Sequence, residues 1–370
     1  MIYFDNNSTT KIAKEVLAKM TEVYQLPLNS SAAHQMGRQG NIELEEARNS
    51  LKDLLGAQNY EIIFTGGSTE ANNTAICGAD VQKVLLCGIE HASVYSCRPQ
   101  DREFIEVEAL ENGQIDLKDL EQKIKALAGQ KFMLCLMFAN NETGAIQPIK
   151  EAAKLVHQNG GLIHCDLVQG TAKLAVSLED LNVDYASLSA HKINGPQGVG
   201  ALLMRKGLDV KPLLVGGKQE KSKRAGTTNV AGISGLGMAC KIAKNSMAKY
   251  EEVKKLRDFL ESEIEKIAGN NVKFISREVE RLPNTSYISL KNFDSQTQLM
   301  NFDLNGICVS AGATCSSGST SQSRVLKAMN ITPEFLSGAI RVSLSPENTK
   351  SEVETFVKVW GDFYRKNFKN

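Results

Sequence analysis

Two clusters of polar residues in this chain each follow a short apolar run. The run at 162–163 leads into His164-Cys165-Asp166, and the run at 183–188 ends in Ser189-Ala190-His191-Lys192. Such runs predict two buried parallel strands whose carboxyl ends meet at one edge of a sheet, where ligands of open α/β sheets bind. A carboxylate and a lysine at that edge suit pyridoxal phosphate, because the lysine can form a Schiff base and the carboxylate can pair with the pyridinium nitrogen. The same groups could equally form an ion pair or two solvated charges.

Three further predicted strands end in polar groups. The strand at 62–64 is followed by the glycine-rich turn 65–70 and a helix beginning near Ala71, a pattern that can bind an anion but also serves as an ordinary cap. His91 follows the strand at 83–87, where a single histidine is more often structural than catalytic. The apolar run 132–138 ends at Asn140-Asn141-Glu142. Strands alternate with helices from 62 to 204, which predicts a mainly parallel sheet with helices on both faces.

The composition is that of an ordinary globular protein. The chain has 370 residues, 42% of them hydrophobic and 23% charged, with a formal net charge of +1. No long basic run and no apolar stretch of membrane-span or signal-peptide length occurs. We therefore expect neither a nucleic-acid nor a membrane partner, and a cytoplasmic location.

The eight cysteines form no Cys-x-x-Cys pair. In a cytosolic chain of this length they are expected to be reduced core residues, with no zinc site and no disulfide framework. Cys87, Cys135 and Cys165 lie within apolar runs and fit that expectation. Cys315 differs, because it lies in a run of small residues from 311 to 319.

The length predicts one large domain and a smaller one. Near Asn245 a helix of small residues gives way to a heavily charged helix, and we place the domain boundary there. The predicted large domain spans 15–247. The smaller α+β domain comprises 1–14 and 248–370, with strands near 285–290 and 307–310 and helices near 323–329 and 350–364.

Taken in order, the motifs resemble the pyridoxal-phosphate-dependent cysteine desulfurases of the NifS/IscS type over nearly the whole chain. They lie at 3–10, 67–73, 90–91, 140–144, 164–169, 189–192, 224–227, 310–315 and 340–344. The resemblance implies an α/β fold, the PLP-dependent transferase fold type I of the class-V aminotransferase group. Its large domain would contain a mainly parallel seven-stranded sheet, and the protein would be a homodimer with the cofactor near the subunit interface.

The resemblance also implies a role for each matching residue. Lys192 would be the Schiff-base lysine, Asp166 would keep the ring nitrogen protonated, and His91 would stack on the ring and assist proton transfer. Arg341, helped by Asn29, would bind the substrate carboxylate through two hydrogen bonds. The remaining cofactor contacts would be Gln169 and Asn141 at the ring hydroxyl or substrate, and Ser68, Thr69, Ser189, His191 and the partner subunit's Thr227 at the phosphate.

The implied reaction converts L-cysteine to L-alanine. Lys192 would remove the Cα proton, and the Cys315 thiolate would attack the substrate sulfur and keep it as a persulfide for an acceptor such as an iron-sulfur scaffold. Alternatives are a selenocysteine lyase or aminotransferase of the same fold, or a non-catalytic sulfur-transfer scaffold, which should have lost some of these groups. The departures from the family pattern remove no chemistry; they are Ser30, Leu167, Thr314 and Gln197.

Overall fold

The computed structural model of the protein describes residues 1–311 and 322–368. In these ranges the strands are β1 (Ile2–Tyr3), β2 (Tyr60–Thr65), β3 (Lys83–Cys87), β4 (Glu103–Val107), β5 (Phe132–Cys135), β6 (Leu162–Asp166), β7 (Tyr185–Ser189), β8 (Gly200–Arg205), β9 (Val272–Phe274), β10 (Thr285–Leu290), β11 (Ile307–Cys308) and β12 (Ala339–Ser343). The α-helices there are α1 (Lys14–Tyr24), α2 (Gln35–Leu55), α3 (Ser68–Gly78), α4 (Ala92–Tyr95), α5 (Leu117–Ala126), α6 (Ile149–Gln158), α7 (Leu178–Leu181), α8 (Val230–Ser246), α9 (Tyr250–Ala268), α10 (Ser295–Leu304), α11 (Arg324–Ala328) and α12 (Lys350–Asn367).

The main sheet has the strand order β2-β8-β7-β6-β5-β3-β4. Six of these strands run in one direction, and β8 runs antiparallel to both of its neighbours. Strands β6 and β7 are parallel neighbours, with Asp166 opposite Ser187. The mainly parallel seven-stranded sheet predicted from the sequence is thus confirmed, and the carboxyl ends of β6 and β7 lie side by side.

Helices cover both faces of this sheet, as the alternation of elements predicts. On one face, the apolar side chains of α2, α5, α6 and α8 pack against the strands in a single core. On the other face, α3 and α4 supply Ala71, Ala75, Ile76 and Val94 to a second cluster. Because both faces are covered, the central strands β5, β6 and β7 are buried along almost their whole length.

A separate core lies in the carboxyl-terminal part of the chain. It is formed by α9, α12 and the antiparallel strands β9, β10 and β12. Phe4 joins this core and packs on Phe356 with 5.9 Å between the ring centroids. Helix α8 contributes to the first core and α9 to the second, while Val325 and Leu326 of α11 belong to the first. The domain bounds proposed from the sequence remain a prediction.

Three elements differ in length from the sequence prediction. Helix α3 begins at Ser68, three residues before Ala71, so Ser68 and Thr69 lie in its first turn. Strand β5 is regular only to Cys135, although Leu136 and Phe138 still donate backbone hydrogen bonds to β6. Strand β11 has two residues, and Ser310 makes only an isolated bridge with Arg341.

Candidate active site

A cavity of about 250 Å³ lies where β6 and β7 end. It is formed by side chains from these strand ends, from the first turn of α3 and from the amino-terminal segment. The structure brings most of the sequence-predicted site residues to this cavity: Ser68, Thr69, His91, Asn141, Asp166, Gln169, His191, Lys192 and Arg341. They come from distant parts of the sequence and meet because the parallel strands all end at the same edge.

Lys192 lies in a short 3-10 turn, 190–192, directly after β7. Its Nζ donates hydrogen bonds to the carbonyl oxygens of Asn7, at 2.5 Å, and Ser8, at 2.7 Å. The amino-terminal segment therefore holds the lysine amine at the wall of the cavity.

The Asp166 carboxylate is buried at the end of β6 and is held on both oxygens. Oδ1 accepts from the backbone N–H of Val168 at 2.9 Å, and Oδ2 accepts from Nδ2 of Asn72 at 2.9 Å. Asn72 is oriented in turn, because its Oδ1 accepts from the hydroxyl of Ser187. The carboxylate is thus fixed in position before any ligand binds.

His91 is the N-cap of α4, and its Nδ1 accepts from the backbone N–H of Ser93 at 3.2 Å. Burial is the main cause that lowers the pKa of His91; the Asp166 carboxylate opposes it, and the Lys192 and Arg324 cations add to it. The imidazole is therefore neutral at neutral pH and carries its proton on Nε2.

An open cleft of about 740 Å³ adjoins the cavity and shares Ser8, Ser68, Thr69 and His191 with it. Ser189, Gly66 and Gly67 also line this cleft. Gly67 is the N-cap of α3 and has φ +153°. Because glycine has no side chain, the N-cap residue makes no side-chain hydrogen bond to the first-turn amides of this eleven-residue helix. Such amides, at the positive end of a helix dipole, bind anions.

Arg341 lies on β12 and is 3% exposed. Its Nη2 donates to Asp5 Oδ1 and to Ser8 Oγ, each at 2.7 Å, and Nη1 donates to Asn141 O at 3.0 Å. Nε is buried and has no hydrogen-bond partner among the described residues. A carboxylate entering the cavity must therefore compete with Asp5 and Ser8 for Nη2.

Two predicted site residues line neither the cavity nor the adjoining cleft. Asn29 and Thr227 are exposed, and neither lines the cavity or the adjoining cleft. Their neighbours Ser30 and Thr228 line a different surface cleft of about 580 Å³. Cys315 lies outside the described residues.

Three residues that organise the site were not predicted from the sequence. Asn7 and Asn72 lie within motifs quoted for the resemblance, but no role was predicted for either. Lys173 is 3% exposed and contacts both Gln169 and Asn7. One signal was available, since Lys173 follows Gln169 by four residues in a segment with few other charges.

Residues 1–311 and 322–368 contain neither a metal-binding cluster nor a membrane-spanning helix. No group of three histidine, cysteine or acidic side chains there could hold a metal ion. No helix in those ranges combines the length and apolarity that crossing a membrane requires.

Comparison with known proteins shows similarity along nearly the whole chain. The profile of the aminotransferase class-V family matches residues 2–356. A protein of Trichormus variabilis named cysteine desulfurase 2 is 37% identical, with 97% of this chain and 92% of the relative covered. The cysteine desulfurase IscS of Dictyoglomus turgidum is 38% identical over 95% of this chain and 91% of its own length.

Solved structures agree with the sequence comparisons. A NifS-like protein of Rickettsia africae superposes with a TM-score of 0.91 at 34% identity, covering 98% of this chain and 99% of that one. A structure described as SspA in complex with cysteine has a TM-score of 0.80 at 28% identity, covering 94% of this chain and all of that one.

Proposed function

Because the chain belongs to the aminotransferase class-V family and, within it, to the cysteine desulfurases, we propose that it converts L-cysteine to L-alanine. Its cofactor is pyridoxal phosphate, and the sulfur moves to Cys315 as a persulfide. One observation carries the proposal: Lys192 and Asp166 line the same cavity, together with His91 and Arg341.

The residues of the cavity fit pyridoxal phosphate. Asp166, held on both oxygens, would pair with the ring nitrogen, and Lys192 would hold the aldehyde carbon. The phosphate would bind at the uncapped first turn of α3, where Ser68, Thr69, Ser189 and His191 line the cleft. Gln169 and Asn141 would contact the ring hydroxyl or the substrate. When bound, the cofactor supplies an electron sink for negative charge that develops at the substrate Cα.

The protein's own residues handle the proton and the substrate carboxylate. Lys192 would take the proton from the substrate Cα. His91 is neutral because burial lowers its pKa, and it would assist this proton transfer. Arg341 would bind the substrate carboxylate by displacing Asp5 or Ser8 from Nη2.

The placement of Cys315 as the sulfur acceptor is supported by the residues on either side of the undescribed segment. On one side, the backbone of Ser310 bonds to that of Arg341. On the other side, Ser323 Oγ donates to Glu142 Oε2 at 2.6 Å, and the Arg324 guanidinium donates to the carbonyl oxygens of Gly88 and Glu90. Both ends of the segment therefore lie beside residues next to or within the cavity wall.

The oligomeric state, the sulfur acceptor and the location of the protein are also part of the proposal. We propose a homodimer in which Thr227 completes the phosphate site of a partner subunit, because Thr227 is exposed and lines neither the cavity nor the adjoining cleft of its own chain. Leu213 and Leu214, each 43% exposed, line the phosphate cleft and would be covered by that partner. The acceptor would be a protein such as an iron-sulfur scaffold, and the location cytoplasmic. Light scattering tests the dimer and would refute it by giving the mass of one chain.

The activity is tested by incubating the purified, cofactor-loaded protein with L-cysteine and a thiol reductant. Sulfide and alanine should form in equal amounts. A keto acid in place of alanine would identify an aminotransferase. If neither sulfide nor alanine formed, the result would favour the non-catalytic scaffold. A parallel assay with selenocysteine as the substrate distinguishes a selenocysteine lyase from a cysteine desulfurase.

A pair of variants tests the role of Cys315. Cys315→Ala should abolish desulfuration of cysteine but retain the absorbance of the lysine-bound cofactor, because the cavity residues are unchanged. Cys308→Ser is the matched control, since Cys308 is partly exposed on β11 and lies outside the cavity. Full activity of Cys315→Ala would refute the assignment.

A further inference from the structure

Two cysteines outside the candidate active site face each other between helices α3 and α4. Cys77, near the end of α3, has its Sγ 3.7 Å from Sγ of Cys97, which follows α4 by two residues. A disulfide needs a sulfur separation of about 2.0 Å. Disulfide formation would therefore bring the two sulfurs about 1.7 Å closer together.

The surroundings favour a thiolate on Cys77. Arg102 donates from Nη2 to the carbonyl oxygens of Cys77, at 2.8 Å, and Ala79, at 2.6 Å, while its Nε and Nη1 are buried with no hydrogen-bond partner among the described residues. The hydrogen bond from Cys97 is the main cause that lowers the pKa of Cys77 to about 7; burial opposes it, and the Arg102 charge lowers the pKa further. The same contact, together with burial, raises the pKa of the Cys97 thiol.

The two thiols also differ from each other in access to solvent. Cys77 is partly exposed, whereas Cys97 is 8% exposed. An oxidant can thus reach Cys77 first, while Cys97 lies behind it as a second thiol within contact distance. By contrast, Cys87, Cys135 and Cys240 are buried in the core, and burial raises the pKa of each thiol.

We propose that Cys77 and Cys97 form a redox-active dithiol that reduces hydroperoxides and closes to an intramolecular disulfide. The Cys77 thiolate attacks the peroxide O–O bond, gains a sulfenic oxygen and releases hydroxide or alkoxide, which takes up a proton. Cys97 then loses its proton, its sulfur attacks the Cys77 sulfur, and the S–O bond breaks to release water. The two thiols lose two electrons, and the hydroperoxide gains them.

Oxidation at this site would join two helices that carry cavity residues. Helix α3 begins with Ser68 and Thr69, and α4 is capped by the His91 side chain. The helices are already in contact, since Asn72 Nδ2 and Asn73 Nδ2 both bond to Ser93, each at 2.8 Å. The disulfide would add a covalent link to this contact. The inference is independent of the proposed desulfurase activity and of Cys315.

Peptide mapping after exposure of the cofactor-loaded protein to hydrogen peroxide tests the inference. Free thiols are alkylated under denaturing conditions before digestion with trypsin. The expected product joins peptides 53–83 and 84–102, is lighter than their sum by two hydrogen atoms, and separates again with dithiothreitol. Fragment ions must place the link on Cys97, because Cys87 lies on the same tryptic peptide.

Two variants separate the roles of the thiols. In Cys97→Ser, the sulfenic acid on Cys77 should persist and be captured by dimedone. In Cys77→Ser, Cys97 should remain as fully alkylated as Cys240 in the same sample. A link through Cys87, equal alkylation of Cys77 and Cys240 after peroxide, or unchanged loss of the Cys97 thiol in Cys77→Ser would each overturn the proposal.

Discussion

Lys173 Nζ donates a hydrogen bond to Gln169 Oε1 at 2.6 Å in the buried wall behind the cavity. A second bond runs to Asn7 Oδ1 at 3.0 Å, and Gln169 Nε2 donates to Asn7 O at 3.0 Å. Lys173, Gln169 and Asn7 are thus each hydrogen-bonded to the other two. The bond from Lys173 makes Oε1 the acceptor of the Gln169 amide. Burial is the main cause that lowers the pKa of Lys173 well below its ordinary range, with the Lys192 and Arg341 charges adding to it.

Lys173→Met should weaken binding of pyridoxal phosphate about tenfold, which corresponds to about 1.4 kcal/mol. The reason is that the Gln169 amide loses the donor that orients it. Titration of the apoenzyme with cofactor, followed by protein fluorescence, measures the effect, and the exposed Lys154→Met is the matched control. An unchanged Kd in Lys173→Met would show that Gln169 needs no such support.

Arg341→Lys should raise the KM for cysteine by about 10- to 100-fold, with a smaller change in kcat. A lysine has a single charged nitrogen and cannot offer a carboxylate the two parallel N–H donors of a guanidinium. Steady-state kinetics measure the effect, with Arg365→Lys on the exposed face of α12 as the control. If KM stays the same while kcat falls, Arg341 acts on the chemical step and not in substrate binding.

Arg324→Met should lower kcat about tenfold while leaving cofactor binding unchanged, because small misplacements of a catalytic group are costly. Arg324 bonds to the carbonyl oxygen of Glu90, the residue before His91, and its guanidinium lies 3.9 Å from the centroid of the Tyr95 ring. Loss of this cation should also raise the pKa of His91, seen as a shift of the acidic limb of the kcat profile to higher pH. Wild-type kcat and an unshifted profile would contradict a positioning role.

His164 should make the protein less stable in acid. Both ring nitrogens lack hydrogen-bond partners among the described residues, and burial lowers the pKa of His164 from 6.5 to about 4. Between these values the unfolded chain binds more protons than the native one, so stability falls as the pH drops from 6.5 to 4. The loss attributable to this group is about 3 kcal/mol.

Thermal unfolding at pH 7 and at pH 4.5 measures this effect. His164→Leu should lose less stability between the two pH values than the wild type does, because the leucine cannot be protonated. An identical loss in both proteins would assign the acid sensitivity to other groups.

Much of the sheet and its functional edge could be predicted from the sequence. Apolar runs that end in polar residues placed Asp166 and Lys192 at the ends of neighbouring parallel strands, and the parallel pairing of β6 with β7 confirms that placement. This worked because a buried parallel strand has a strong local pattern and ends where its polar residues begin.

The support behind the cavity could not be predicted in the same way. From the sequence alone, a lysine such as Lys173 is expected at the surface. Its burial depends on a contact with Asn7, which lies 166 positions away in the chain. Asn7 in turn receives hydrogen bonds from Asn284 and donates one to Thr285. These contacts join three separate parts of the chain, and no periodicity within any one of them indicates the others.

The account's central claim is that Lys192 and Cys315 act in sequence on one molecule of cysteine. It is tested most directly by mixing the cofactor-loaded enzyme with equimolar L-cysteine, without reductant, and mapping the peptides by mass. The account predicts that the peptide containing Cys315 becomes heavier by one sulfur atom, with fragment ions excluding Cys308, and that Lys192→Ala abolishes the change. No added sulfur at Cys315, or the same addition in Lys192→Ala, would contradict it.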